Sequence, residues 1–203
     1  MNKNYHVITT QYLEYQLYTP QEYIKEQLDK LNIVINSITD IYKRVLYIRF
    51  DLKFPKESKY CDKAISKFFT KLKKRLITKK YNQKNAAYLW TREKKDSDNP
   101  HYHCVLFLDY NKARQTGFHG NDNSSGVMGL VSQLWCETLN TDNTGLIYLA
   151  DRHKTYKYIN RDNPESKQEI FKHCAYLCKL PTKAFDIAGK NIGYSQVKPK
   201  HQK

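Results

Sequence analysis

Nothing in this sequence provides for a disulfide framework, a membrane span or a glycine-rich phosphate loop. Its five cysteines, at positions 61, 104, 136, 174 and 178, are odd in number and include no Cys-x-x-Cys pair. Cys174 and Cys178 stand four apart, which on a helix makes a small apolar stripe rather than a metal site. No apolar run approaches the roughly 18 residues that a membrane-spanning helix needs. The opening Met1-Asn2-Lys3-Asn4 is polar and reads unlike a secretory leader. These absences lead to the expectation of a reduced, cytoplasmic protein with no membrane partner. The seven glycines never fall into a Walker-type pattern, so the chain carries no nucleoside-triphosphate cradle of its own. No internal repeat is visible.

What is present in excess is positive charge. The 203 residues carry 35 Lys and Arg against 20 Asp and Glu, a formal net charge of +15. A field of that size favours a polyanionic partner, nucleic acid first. Seventeen tyrosines agree with that, because aromatic faces stack on unpaired bases.

Hydrophobic spacing divides the chain into a helical N-terminal extension over 1–40, a main domain over 41–185 and a basic tail over 186–203. In the extension, Thr19-Pro20 offers a helix start, and Tyr23, Leu28, Leu31, Ile33 and Ile38 follow at rough helical spacing. From Arg44 to Phe54 the chain alternates: Leu46, Ile48, Phe50 and Leu52 face one way, and Tyr47, Arg49, Asp51 and Lys53 the other. That period of two predicts a half-buried strand ended by Pro55. Residues 60–82 predict a helix through Ile65, Phe68, Phe69, Leu72 and Leu76, with Lys73 and Lys74 on a basic outer face suited to phosphates. Residues 86–108 read as a hairpin. A Gly/Asn/Ser-rich loop over 111–126 and a helix over 127–139 come next, then a strand over 145–150 and a polar loop over 151–165. A last helix spans 166–179, with Ser166 and Glu169 as a capping box. This order predicts an α+β fold: a ferredoxin-like antiparallel sheet with helices on one face and the other face open.

The chemistry concentrates in His101-Tyr102-His103. Two histidines at i, i+2 on a strand point to the same side, so both imidazoles reach one divalent cation. Glu93, on the partner strand of the hairpin, is the candidate third ligand. Two imidazoles and a carboxylate leave positions open for phosphate oxygens and suit Mg²⁺ or Mn²⁺, while zinc also fits. Asp51 is placed to orient a ligand histidine, and Arg49 to grip a phosphate or pair with Asp51. On the last helix Tyr176 and Lys179 share a face. The phenol there is a candidate nucleophile, and the ammonium stabilises charge on a phosphate. Arg92 and Lys183 complete the expected DNA contacts.

In these residues and their order the chain resembles the HUH endonucleases, and more narrowly the YagK/YfjJ C-terminal domain of inovirus-type replication proteins. The matching stretches are Val45–Leu52, Leu89–Glu93, His101–Leu108 and Ala175–Lys179, with Lys183 beyond. The resemblance implies an HUH fold whose C-terminal helix carries the catalytic tyrosine. It implies a metal-dependent nickase that cuts and rejoins single-stranded origin DNA, hairpin or not, through a 5′-phosphotyrosine, with His101, His103 and Glu93 as ligands and Tyr176 as nucleophile. The released 3′-hydroxyl would prime rolling-circle replication of a phage, satellite or plasmid, with helicase and polymerase supplied by the host. Tyr156 and Tyr158 are candidates for a second tyrosine. Alternatives are a single-tyrosine transposase or mobilisation protein, and a non-catalytic nucleic-acid-binding regulator on the same fold.

Overall fold

The computed structural model describes residues 5–58, 60–94, 99–117, 125–150, 157–181, 183 and 189–197. Six strands, all antiparallel, form the central sheet: β1 (Arg44–Leu52), β2 (Ala87–Glu93), β3 (His101–Asp109), β4 (Ile147–Leu149), β5 (Tyr158–Asn160) and β6 (Ile192–Tyr194). They lie in the order β6-β2-β3-β1. The free edge of β1 is shared by two short strands, β4 along Phe50–Leu52 and β5 along Arg44–Leu46. Four helices accompany the sheet: α1 (Lys25–Ile41), α2 (Ala64–Leu76), α3 (Gly126–Leu139) and α4 (Pro164–Ala175). Among the described residues no helix is long and apolar enough to cross a membrane.

The alternation in β1 is real, but both of its faces are covered. Leu46, Ile48, Phe50 and Leu52 pack with Ile65, Phe68 and Leu72 of α2 and with Leu130, Leu134 and Trp135 of α3 in a first core. Val45 and Tyr47 pack on the other face with Leu28, Leu31, Ile35 and Ile38 of α1 and with Ile170 and Phe171 of α4. The expectation of helices on one face only is therefore corrected. Burying a Leu or Ile side chain is worth about 1.5–3 kcal/mol, so the second core makes α1 integral to the fold. Residues 5–41 do not stand apart as an appendage.

Several boundaries also move. The helix starts at Lys25, not at Pro20, and Ile33 is half exposed. Val7–Ile8 instead pairs with Tyr23–Ile24, and Gln11–Tyr12 with Tyr15–Gln16. Part of the region read as a polar loop is β5, whose Ile159 is fully buried. Part of the region read as a tail is β6, paired with Leu89–Thr91. The last helix begins earlier: Asn163 caps it, its side chain accepting from the Ser166 amide, and Pro164 sits in the first turn. It also ends earlier, at Ala175, and Tyr176–Cys178 forms a separate 3-10 turn.

At the sheet edge, a Cβ on Gly193 would lie 2.4 Å from Trp90 Cε2. The indole occupies the space that a side chain would need. Gly193→Ala is expected to lower stability by about 1–3 kcal/mol through overpacking. Urea unfolding checks this, and an unchanged midpoint would show that the edge strand is free to shift.

Candidate metal centre

The register of the hairpin places the predicted residues in two rows across one face of the sheet. Asp51, His103 and Thr91 stand opposite one another on β1, β3 and β2, and His101 stands directly opposite Glu93 in the next row. Further along the same face the rows turn apolar, with Val105 and Leu89 and then Phe107 and Ala87 in the second core. The helices cover those apolar rows and leave the polar ones at the end of the sheet.

Glu93, His101 and His103 each offer a ligand atom, and these atoms lie within 4.8 Å of one another. The Nε2 atoms of the two histidines are 3.1 Å apart, and His103 Nε2 is 3.0 Å from Glu93 Oε2. Ligand atoms about 2.1 Å from a cation and at right angles about it sit about 3 Å apart. Two of the three donor spacings thus match those of ligands around one divalent cation. His103 Nδ1 lies 2.6 Å from Asp51 Oδ1. A proton shared there directs the Nε2 lone pair toward the other donors, the support a metal-bound imidazole needs.

Electrostatics within the group follow from burial and pairing. Burial opposes charge on His103, but its hydrogen bonds to Asp51 and Glu93 outweigh that and raise its pKa above the ordinary imidazole value. Burial and the neighbouring His103 lower the pKa of His101. Burial would raise the Glu93 carboxyl, yet His103 and Lys183 hold it well below the usual carboxylate range. A neutral His101 and an ionised Glu93 are the forms that bind metal.

Lys183 is not a DNA contact. Its side chain is fully buried, and its Nζ donates to Glu93 Oε1 at 2.7 Å, to Thr91 Oγ1 at 3.2 Å and to the Leu177 carbonyl. One ammonium thereby fixes which carboxylate oxygen faces the histidines. It also ties that ligand to the turn that carries Tyr176. Arg92 is likewise corrected: it is fully buried and donates to Asn191 Oδ1 and the Tyr60 hydroxyl. Lys73 and Lys74 are exposed, but they lie on α2, across the sheet from the donor group.

The 3-10 turn brings Tyr176 to the group. Its ring lies edge-on to His103, with centroids 6.3 Å apart. Lys179 Nζ sits 3.4 Å from the ring centroid and Arg49 Cζ 4.5 Å. The turn is anchored from the N-terminal segment, because the Leu180 amide donates to the Glu22 carbonyl at 2.8 Å and Lys179 bridges Tyr23. Sequence reasoning missed His173, whose ring lies 3.4 Å from both the Tyr47 hydroxyl and Arg49 Nη1. The available signal was its place three residues before Tyr176, on the same helical face. Tyr158 belongs elsewhere: it pairs with Leu46 at the opposite end of β1 and packs on Tyr110. Tyr156 lies outside the described residues.

The comparisons with known proteins reach family level. A family model described as the YagK/YfjJ C-terminal domain matches residues 7–195. The chain belongs to that family. It is 26% identical over 199 residues to the Escherichia coli (strain K12) protein named "Uncharacterized protein YagK", covering 86% of this chain and 94% of that protein. No solved structure matches. The family match takes in β6 and all of α1, in keeping with their place in the fold.

Two outcomes follow. Lys183→Met leaves the Glu93 carboxylate buried without its cation, and is expected to cost about 3–5 kcal/mol. Adding Glu93→Gln should recover much of that loss in urea unfolding with chelator present; strict additivity would deny the pair. Manganese at one hundred times its Kd should stabilise the wild type by about 2.7 kcal/mol. His101→Ala/His103→Ala should show no such gain in calorimetry.

Proposed function

We propose that this protein is a metal-dependent single-strand DNA nickase and strand transferase of the HUH type. Tyr176 is its nucleophile, and His101, His103 and Glu93 hold its cation. The single observation that carries the reading is the edge-on approach of Tyr176 to His103, which brings the tyrosine ring beside the candidate cation donors. The fold supports it. The order β2-β3-β1-β4, with helices after β1 and β3, is in keeping with the split βαβ, ferredoxin-like layout that this reading expects.

In this reading a bound Mg²⁺ or Mn²⁺ supplies Lewis-acid polarisation of a phosphodiester and neutralises charge on its oxygens. Asp51 keeps His103 in the ligating tautomer, and Lys183 keeps Glu93 Oε1 engaged so that Oε2 stays with the histidines. Arg49 and Lys179 meet the anionic strand beside the phenol ring and offset charge that builds on the phosphate. The Tyr176 oxygen bonds to phosphorus as the bond from phosphorus to the 3′-oxygen breaks. The phenol loses its proton, and the 3′-oxygen gains one as it leaves. The phosphotyrosine retains the energy of the broken linkage, so attack by a 3′-hydroxyl reverses the step. Starting rolling-circle replication is the use that fits a nick of this polarity.

Incubating the protein with Mn²⁺ and single-stranded oligonucleotides is expected to give a covalent adduct that survives denaturing electrophoresis. Tyr176→Phe should abolish the adduct while DNA binding changes less than about threefold, since only one hydroxyl is lost. Chelator should abolish it as well. An adduct that persists in Tyr176→Phe would assign the nucleophile elsewhere. Binding without any adduct across a varied oligonucleotide pool would favour a non-catalytic regulator.

A further inference from the structure

The charge of this protein is unevenly placed. From Lys63 to Arg92 the sequence contains no Asp or Glu, and Lys63 to Lys84 alone contributes nine of the fifteen net positive charges. This stretch is α2 and the turn after it. Lys73, Lys74, Arg75, Lys79, Lys80 and Lys84 are all exposed. None of the six is ion-paired among the described residues, whereas Lys71 has Glu137 at 3.9 Å. Cations in a last helical turn answer the helix dipole. That explains Lys73, Lys74 and Arg75 at the end of α2, but not the three lysines beyond it.

Position separates this surface from the metal centre twice over. α2 packs on the first core, and the donor group lies on the other face of the sheet. The helix also leads away from that end: it starts after β1 leaves the Asp51 row and delivers the chain to Ala87, at the far end of β2. Its 13 residues span about 20 Å at 1.5 Å per residue. These lysines therefore lie apart from a nucleotide held at the donor group, on the opposite face of the sheet.

We propose that the α2 surface is a second nucleic-acid site, which grips the phosphate backbone of duplex DNA flanking the strand held at the metal centre. This deepens the nickase reading and rests on it for the identity of the strand. The surface chemistry selects duplex over single strand. Single-strand sites combine positive charge with aromatic faces for stacking. Here Phe68 and Phe69 face the core, and Tyr81 is half-buried with Lys80 over its ring. A regular array of phosphates is matched by exposed cations alone, without base readout. The length of α2, about 20 Å, corresponds to about six base steps at 3.4 Å each, so the gripped duplex is set some base steps away from the nick.

The test compares Lys73→Gln/Lys74→Gln/Lys80→Gln with a control of equal charge, Lys25→Gln/Lys157→Gln/Lys190→Gln. Anisotropy is read on a blunt 20-base-pair duplex and on a single-stranded decamer from 50 to 300 mM salt, with the manganese-dependent adduct on the decamer as a separate reading. The α2 variant is expected to bind duplex at least tenfold more weakly and to flatten its salt slope by about three, at about 0.9 per lost phosphate contact. Decamer binding and adduct yield should stay within twofold of wild type. The control should keep most duplex affinity. Equal losses in both variants would mean that net charge alone acts, and would overturn the proposal. Unchanged duplex binding, or a parallel fall in the adduct, would overturn it too. A wild type that forms no adduct but shows the duplex pattern would remove the nickase reading and leave the duplex surface standing.

Discussion

The site depends on how the two oxygens of one carboxylate are divided. Glu93 gives Oε1 to Lys183 and Oε2 to His103. A free carboxylate rotates and would satisfy itself with either partner. The buried ammonium removes that freedom, because Nζ also holds Thr91 and the Leu177 carbonyl. Leu177 follows Tyr176, so one cation fixes both a metal ligand and the turn that carries the phenol. A charged pair at this depth is costly to assemble and far costlier to break. The Lys183–Glu93 pair is therefore a part of the folded core as well as of the site.

The second core explains why the centre lies at the end of the sheet. Along one face the side chains run from Phe107 and Ala87 through Val105 and Leu89 to His103, Thr91, His101 and Glu93. Helices α1 and α4 require an apolar bed, and it ends where Arg49 begins the polar rows. Tyr176 falls at that boundary because α4 stops at Ala175 and tightens into a 3-10 turn. A continuous helix would keep the 100° step between residues. The tighter turn and its tie to Glu22 set the phenol beside His103 instead.

Much of the centre was legible from local rules. Strand alternation put His101 and His103 on one side, and hairpin pairing set Glu93 directly opposite His101. Asp51 was readable as the orienting carboxylate by the same alternation. The errors share a cause: tertiary partners that a local pattern does not encode. Lys183 and Arg92 were read as surface cations, since burial of a charge depends on a distant partner, Glu93 for one and Asn191 and Tyr60 for the other. The second helical layer was missed because its apolar bed is interrupted by Tyr47 and Arg49, which look polar in sequence. Arg49 is nevertheless 8% exposed, under His173. β5 and β6 are three residues each, too short for any periodicity to register.

Charge balance at the centre narrows what it accepts. Arg49, Lys179 and Lys183 face Asp51 and Glu93, three positive charges against two negative. A divalent cation on neutral imidazoles raises the local excess to about +3 before any substrate arrives. A lone phosphodiester carries one negative charge and would leave most of that excess unanswered in a half-buried site. A strand with adjoining phosphates offsets it progressively, each at a distance where screening is incomplete. For the proposed nickase, the electrostatics would favour a polymer backbone over a small phosphate ester, independently of any stacking or base contact. The acid-free stretch on α2 lies on the opposite face of the sheet. Nine further cations beside the donor group would compete with a metal ion for the same carboxylates, and with the structure as it stands they do not reach them.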